Sequence, residues 1–251
     1  MYQKERLEQV LALVERHGYV TVRFLVEELH YSKATINRDL NALEQMGKVK
    51  RTWGGVEPSE AKAIPVLFRY EYEKSKKKRI AKRAAELIGD GETIFIDGST
   101  TAQYMAEYLI EKKELHVLTN NMALAIFLAE NGTDVTVLGG KVLETPYMLS
   151  GSDTVEAAAH YRADRCFFST RAVTEEGEMS YTDDIYFLVH RTMMRNASSV
   201  VYLADSDKIN RKDGKVVLGD FSLVNMVISD HRFSEETQHR YPDVDFLIVE
   251  A

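Results

Sequence analysis

From residue 80 onward the chain alternates short apolar runs with stretches of helical periodicity, and few architectures accept that alternation. Strands are predicted over 93–96, 115–119, 135–138, 165–169, 200–204, 224–229 and 245–249. Helices are predicted over 77–89, 100–111, 121–131, 152–161, 183–197 and 234–240. Strand followed by helix, repeated, implies an α/β domain with a mainly parallel sheet and helices on its faces. In such sheets ligands sit beyond the C-terminal ends of the strands.

Polar segments recur at that place. Asp97-Gly98-Ser99-Thr100-Thr101 follows the first strand and Thr119-Asn120-Asn121 the second. Gly139-Gly140-Lys141 follows the third, and Asp205-Ser206-Asp207-Lys208 a later one. A turn opening a helix offers free N–H groups and positive dipole density to an anion such as phosphate. Gly98 lets the backbone turn closely, while Ser99, Thr100 and Thr101 add hydroxyl donors. Gly139 and Gly140 allow a second close approach. Lys141 and Lys208 supply charge, and Asn120 and Asp97 suit sugar hydroxyls. Each piece taken singly is ordinary loop and capping chemistry; the recurrence points to a ligand site.

The first sixty residues have a different organisation. Leu7, Val10, Leu11 and Val14 line one face of a helix that Gly18 ends. Val20-Thr21-Val22 leads into a short helix with Leu25, Val26 and Leu29 on one side. After the turn at His30-Tyr31, Ser32 caps a third helix that carries Ile36, Leu40 and Leu43 inward and closes at Gly47. This is a helix-turn-helix pattern. The second helix of such a motif enters the major groove with its N-terminal end leading. Ser32, Lys33 and Thr35 suit phosphate oxygens there, and Asn37 and Arg38 suit adenine and guanine edges. Lys48-Val49-Lys50-Arg51-Thr52-Trp53-Gly54-Gly55 alternates basic and apolar residues like a small β-wing. Lys48, Lys50 and Arg51 are the expected backbone contacts. Residues 32–56 carry an excess of three positive charges within a chain of net charge −7. An acidic body with one basic module suits local binding of double-stranded DNA, not coating of nucleic acid.

The run from Ser32 to Gly55 resembles the DeoR family of bacterial transcriptional regulators. Ser32, Thr35, Ile36, Arg38, Asp39, Leu40, Leu43, Glu44, Gly47, Arg51, Gly54 and Gly55 match its pattern, and Asn37 stands where the family commonly has Arg. The polar loops, with Gly151, follow the order of the family's sensor domain, which is similar in fold to ribose-5-phosphate isomerase and glucosamine-6-phosphate deaminase. The resemblance covers nearly the whole chain. It implies a winged helix-turn-helix over 1–57, a linker over 58–75 and an α/β effector-sensing domain over 76–251. It also implies a phosphorylated sugar or related metabolite as effector and a repressor of a carbohydrate catabolic operon; because helix-turn-helix proteins usually read paired half-sites, a homodimer or homotetramer is expected. Phe168-Ser169-Thr170-Arg171-Ala172-Val173 departs from the family, and Arg171 is expected to narrow or recharge the pocket.

Other features bound the reading. Pro58 and Pro65 oppose a continuous helix in the linker, where Val66-Leu67-Phe68 is a candidate docking segment. Lys76-Lys77-Lys78-Arg79 is either a second DNA contact or the solvated start of the next helix. No apolar run approaches the roughly 20 residues that span a bilayer, and the N-terminus lacks a signal-peptide core, so the chain reads as cytoplasmic. The single Cys166 excludes an internal disulfide and reads as a small buried hydrophobe. The histidines show no metal-ligand spacing, and His160 and His190 read as helix-face residues. No cofactor is called for. Asp97, Asp183, Asp184 and Asp205 are carboxylates an isomerase or deaminase would need, the alternative activity for such a chain. Their spacing pairs none of them, and the attached DNA-binding module points to sensing instead.

Overall fold

A computed structural model of the chain describes residues 3–52, 55–59, 73–144 and 148–250. Trp53, Gly54, Pro65 and the segment Val66-Leu67-Phe68 lie outside them. The chain divides into two compact units, Met1–Lys74 and Ser75–Ala251.

The first unit contains α1 (Gln3–His17), β1 (Val20–Thr21), α2 (Val22–Leu29), α3 (Lys33–Gln45), β2 (Val49–Thr52) and β3 (Gly55–Pro58). Val10, Val14, Leu25, Ile36, Leu40 and Leu43 meet in its core, as their spacing requires. Thr21 caps α2 by accepting from the Phe24 N–H at 3.0 Å. His30 takes the left-handed conformation that ends it. Ser32 caps α3 through the Thr35 N–H at 3.2 Å. Gly47 has φ +66° just beyond α3, and the Lys48 N–H returns to the Leu43 carbonyl. The strands form an antiparallel sheet in the order β1-β3-β2, so the wing is hydrogen-bonded to the segment between α1 and α2. Gly55 is required there: a Cβ would lie 2.4 Å from the Tyr19 ring and from the Val20 carbonyl oxygen. Asp39 is buried beneath α3 and is satisfied by a forked ion pair with Arg6 of α1.

The second unit opens with α4 (Lys74–Glu86), whose first residue belongs to the first unit. It continues through β4 (Thr93–Ile96), α5 (Thr100–Gln103), α6 (Ala106–Leu109), β5 (His116–Thr119), α7 (Met122–Glu130) and β6 (Asp134–Val137). A hairpin of β7 (Lys141–Glu144) and β8 (Met148–Ser150) follows, then α8 (Ser152–Ala159), β9 (Ala163–Phe168), β10 (Ala172–Val173) and β11 (Met179–Tyr181). The remainder is α9 (Phe187–Arg195), β12 (Ala197–Ala204), β13 (Val216–Gly219), β14 (Met226–Ser229), α10 (Glu235–Arg240) and β15 (Asp245–Ile248).

All seven strands expected from the apolar runs form one parallel sheet, in the order β15-β14-β12-β9-β4-β5-β6. The chain leaves β4 toward β5 and β6, then crosses back to lay β9 on the other side of β4. That reversal is the topological switch point of the sheet.

Three features differ from the expectation. The helix predicted over 100–111 is two four-residue pieces, joined by tighter i→i+3 bonds such as Met105 N–H to Ala102 O. The helix predicted from 183 begins at Phe187, because Asp183 accepts from the Ile185 N–H and holds a turn. The β7–β8 hairpin and an antiparallel sheet of β10, β11 and β13 were not anticipated. Their strands are two to four residues long, and the β11–β13 register shifts at a bulge, so their apolar alternation is too short to read.

Phe221 stacks within 5.1–5.9 Å of Phe233, Tyr241, Phe246 and Tyr202, tying the last strands to the sheet. Phe221→Ala should cost about 3–5 kcal/mol. Urea unfolding followed by fluorescence would measure it, and a loss under about 1 kcal/mol would mean the ring is not a keystone.

Candidate functional site

Two surfaces carry the expected chemistry. On α3 and the wing, Ser32, Lys33, Arg38, Lys48 and Lys50 are exposed, and Thr35, Asn37 and Arg51 are half-buried. The Ser32 and Thr35 hydroxyls lie 2.9 Å apart within the cap, so they are partly committed to α3 itself. Asn37 is committed at both ends of its amide. Its Nδ2 donates to the Lys33 carbonyl at 2.9 Å, and its Oδ1 accepts from Arg51 Nη2 at 2.6 Å. Arg51 Nη1 reaches Asn41 Oδ1 at 2.5 Å, and the Arg51 N–H donates to Glu44 Oε1 at 3.0 Å. The wing is therefore bolted to the outer face of α3. Sequence reasoning treated Asn37 as a free reader of adenine and Arg51 as a backbone contact; neither Asn41 nor the brace was foreseen. Arg51→Lys keeps the charge but loses the two-pronged grip. It should weaken operator binding by about 1–3 kcal/mol, read by anisotropy; undiminished affinity would show that the wing needs no brace.

In the second unit the polar loops gather at the C-terminal ends of the central strands. Thr101 Oγ1 reaches Asp205 Oδ2 at 3.5 Å, joining the loop after β4 to the turn after β12. Lys208 Nζ donates to the Thr170 carbonyl at 2.8 Å and lies 4.0 Å from Asp205, bringing in the segment after β9. Thr119 Oγ1 donates to the Ile96 carbonyl at 2.7 Å, and Asn121 caps α7 while reaching Gln103. Thr100 is half-buried, and its hydroxyl makes no hydrogen bond among the described residues. Ser99 is occupied: it caps α5 and donates to Asp97 Oδ1 at 2.6 Å. Arg171 is paired with Asp213 at 2.6 Å, so the unusual segment after β9 is neutralised locally.

Several expected ligand groups are placed otherwise. Asn120 is fully buried, donating to the Leu149 carbonyl at 2.9 Å, which locks the β7–β8 hairpin to β5. Gly98 makes room for Met148: a Cβ there would lie 2.3 Å from Met148 Cγ. Gly140, at φ +114°, makes room for Thr154, whose hydroxyl donates to the Gly139 carbonyl at 2.6 Å. Gly139 and Gly140 also line a cavity of about 560 Å³ bounded by Met122, Ile126, Val137 and Val142. That lining suits hydrocarbon and not phosphate. Lys141 is exposed at the start of β7.

Asp97 is buried too, and its partner is a residue the sequence reading set aside. His190, assigned to a helix face, points inward from α9, with Nε2 3.3 Å from Asp97 Oδ2 and Nδ1 2.5 Å from the Tyr181 hydroxyl. Phe168 and Tyr186 complete its surroundings. Asp97 also accepts from the Ser99 and Ser169 N–H groups. Burial raises the Asp97 carboxyl above its usual range, although His190, Ser99 and Ser169 pull it down. Burial lowers His190 despite Asp97. No periodicity marks such a pair; the only available signal was a histidine on the apolar side of α9, beside Val189 and Met193. The unfolded chain takes up a proton near pH 6.5 that folded His190 refuses. The unfolded state then binds more protons, so His190 lowers stability as pH falls through that value. His190→Gln should flatten the loss of stability between pH 7 and pH 6; an unchanged slope would exclude His190 as its source.

Among the described residues, no three His, Cys, Asp or Glu side chains group as a metal set, and no helix is long and apolar enough to cross a membrane. Cys166 is buried in β9, and burial pushes its thiol well up.

Known proteins resemble this chain along most of its length. A model of the DeoR-like helix-turn-helix domain matches residues 6–61, and one of the DeoR C-terminal sensor domain matches residues 73–231. The glycerol-3-phosphate regulon repressor of Escherichia coli K12 is 29% identical over 92% of each chain. The transcriptional repressor GlcR of Bacillus subtilis is 32% identical over 83% of this chain and 81% of its own. The lactose phosphotransferase system repressor of Lactococcus lactis is 33% identical over 85% and 86%. Ribose-5-phosphate isomerase A of Methanocaldococcus jannaschii overlaps 55% of each chain at 19% identity and a TM-score of 0.40, too partial a likeness to bear on chemistry.

Proposed function

This chain belongs to the DeoR family, and we propose that it represses a carbohydrate catabolic operon by binding operator DNA and is switched by a phosphorylated sugar or related metabolite. It is a DNA-binding regulator and not an enzyme: its relatives are named as repressors. The Asp97–His190 pair, buried at both ends, is also closed to a substrate. One observation carries the reading. A single chain joins a basic helix-turn-helix unit to a parallel sheet whose polar loops converge at a switch point.

In this reading Lys33 and Arg38 of α3 enter the major groove, while Lys48 and Lys50 hold the phosphates. The effector lies over Thr100 and Thr101, beside Lys208. Coupling of about 1–3 kcal/mol between the two ligands would change operator affinity about 5–150-fold. One helix-turn-helix per chain implies paired half-sites and a second copy. The free edge of β6 and the apolar face of α7, with Ile126, Val137 and Val142 exposed, support a homodimer or homotetramer built there.

Anisotropy on DNA from beside the gene, with and without a panel of sugar phosphates, tests the whole reading. Thr100→Asp sets a negative charge where the phosphate would rest. It should abolish the effector response and leave operator affinity intact; a normal response would refute the site.

A further inference from the structure

Arg171 and Arg211 meet on a single carboxylate. Arg171 Nε and Nη2 lie 2.8 and 2.6 Å from Asp213 Oδ2. Arg211 donates from Nε to Asp213 Oδ1 at 3.1 Å and from Nη2 to Oδ2 at 3.3 Å. Burial acts to raise the Asp213 carboxyl, but Arg211 and then Arg171 outweigh it and hold it below the usual carboxylate range. Arg171 is the more enclosed of the two cations, with 11% of its side chain exposed against 22% for Arg211.

The backbone beneath these groups is pinned. The Arg171 N–H donates to the Ser180 carbonyl of β11 at 3.1 Å. The facing segment is tied at both ends, by the Asn210 N–H to the Val173 carbonyl at 2.7 Å and the Lys215 N–H to the Tyr181 carbonyl at 2.6 Å. Rearrangement is thereby confined to side chains. Arg171 also adjoins the polar loops: the Thr170 carbonyl before it accepts from Lys208 Nζ, and the Ser169 N–H reaches Asp97 at 3.2 Å. A ligand that lies over Thr100 and Thr101 beside Lys208, and extends along the segment after β9, comes next to Arg171.

Separating a partly buried ion pair is costly chiefly because it strands a charge without a partner. Here Asp213 keeps Arg211 when Arg171 leaves, so the exchange strands no carboxylate. The planar guanidinium of Arg171 can then grip a ligand carboxylate or phosphate with two prongs. We propose that Arg171 is a specificity residue of the sensor unit, exchanging Asp213 for a second acidic group on the effector, at the end away from the phosphoryl group over Thr100. The effector is then a phosphorylated sugar acid or a sugar bisphosphate, not a simple monophosphate. The proposal rests on the reading that this unit binds a phosphorylated metabolite, and it adds what the rest of that molecule must carry.

The test titrates the full chain calorimetrically, at matched ionic strength, with two pairs of probes: glucose 6-phosphate against 6-phosphogluconate, and fructose 6-phosphate against fructose 1,6-bisphosphate. Wild type should bind the more acidic member of one pair about tenfold tighter or more. A preference in the first pair assigns a carboxylate to Arg171, and in the second a phosphate. Arg171→Gln should erase that preference while leaving the affinity for the less acidic member unchanged, and Arg171→Lys should keep only part of it. Asp213→Asn removes the competing acid and should strengthen binding of the more acidic member; weaker binding there overturns the exchange. If Asp213→Asn does not fold, the two Arg171 variants carry the test. Equal binding within both pairs by wild type overturns the proposal and leaves the sensor reading standing. Arg171→Gln that weakens every probe alike shows that Arg171 only secures its segment, and the proposal fails. A wild type that binds none of these probes, nor any other sugar phosphate, overturns the sensor reading and the proposal with it.

Discussion

The placement of β4 between β5 and β9 governs the second unit. Parallel strands cannot be joined by a tight turn, so each connection must cross a face of the sheet. Once β5 and β6 occupy one side of β4, the next available pairing partner is its opposite edge, and β9 takes it. The loops after β4 and β9 then run in opposite directions. Asp97 joins them by accepting from the Ser169 N–H. The polar groups converge because backbone pairing leaves them nowhere else to go.

Three buried carboxylates show three solutions to one problem. Asp39 takes a forked guanidinium from Arg6 and so pins α1 to α3. Asp97 relies on two backbone N–H groups, a serine hydroxyl and a histidine that burial keeps from charging. Asp205 is surrounded by cations instead. The first two arrangements are closed accounts in which donor and acceptor roughly match. Asp205 differs in that Lys208, Lys77, Lys76 and Arg211 together hold its carboxyl below the usual range despite full burial.

Much of this was legible beforehand where periodicity runs long enough. The helices of the first unit, with Ile36, Leu40 and Leu43 inward, and the strands of the main sheet each announced themselves by spacing. Gly98, Gly140 and Asn120 were expected at a ligand, and the structure gives each a packing or hydrogen-bonding task that the sequence did not show. They admit Met148, Thr154 and Leu149, neighbours distant in sequence that no local pattern contains. His190 and the Arg51–Asn37–Asn41 brace were illegible for the same cause. Side-chain contacts across elements depend on register and rotamer, and neither leaves a trace in composition.

The Arg51 brace has a consequence for how such a regulator changes over generations. A recognition helix with independent side chains can acquire a new operator one substitution at a time. Here Asn37, expected to face the groove, is also the acceptor that seats the wing. Arginine at 37 would lack the oxygen that accepts from Arg51, so the wing would have to be seated by other contacts. In this chain a substitution at 37 that removes the amide oxygen also frees one arm of Arg51 and leaves its side chain held by Asn41 alone among the described residues.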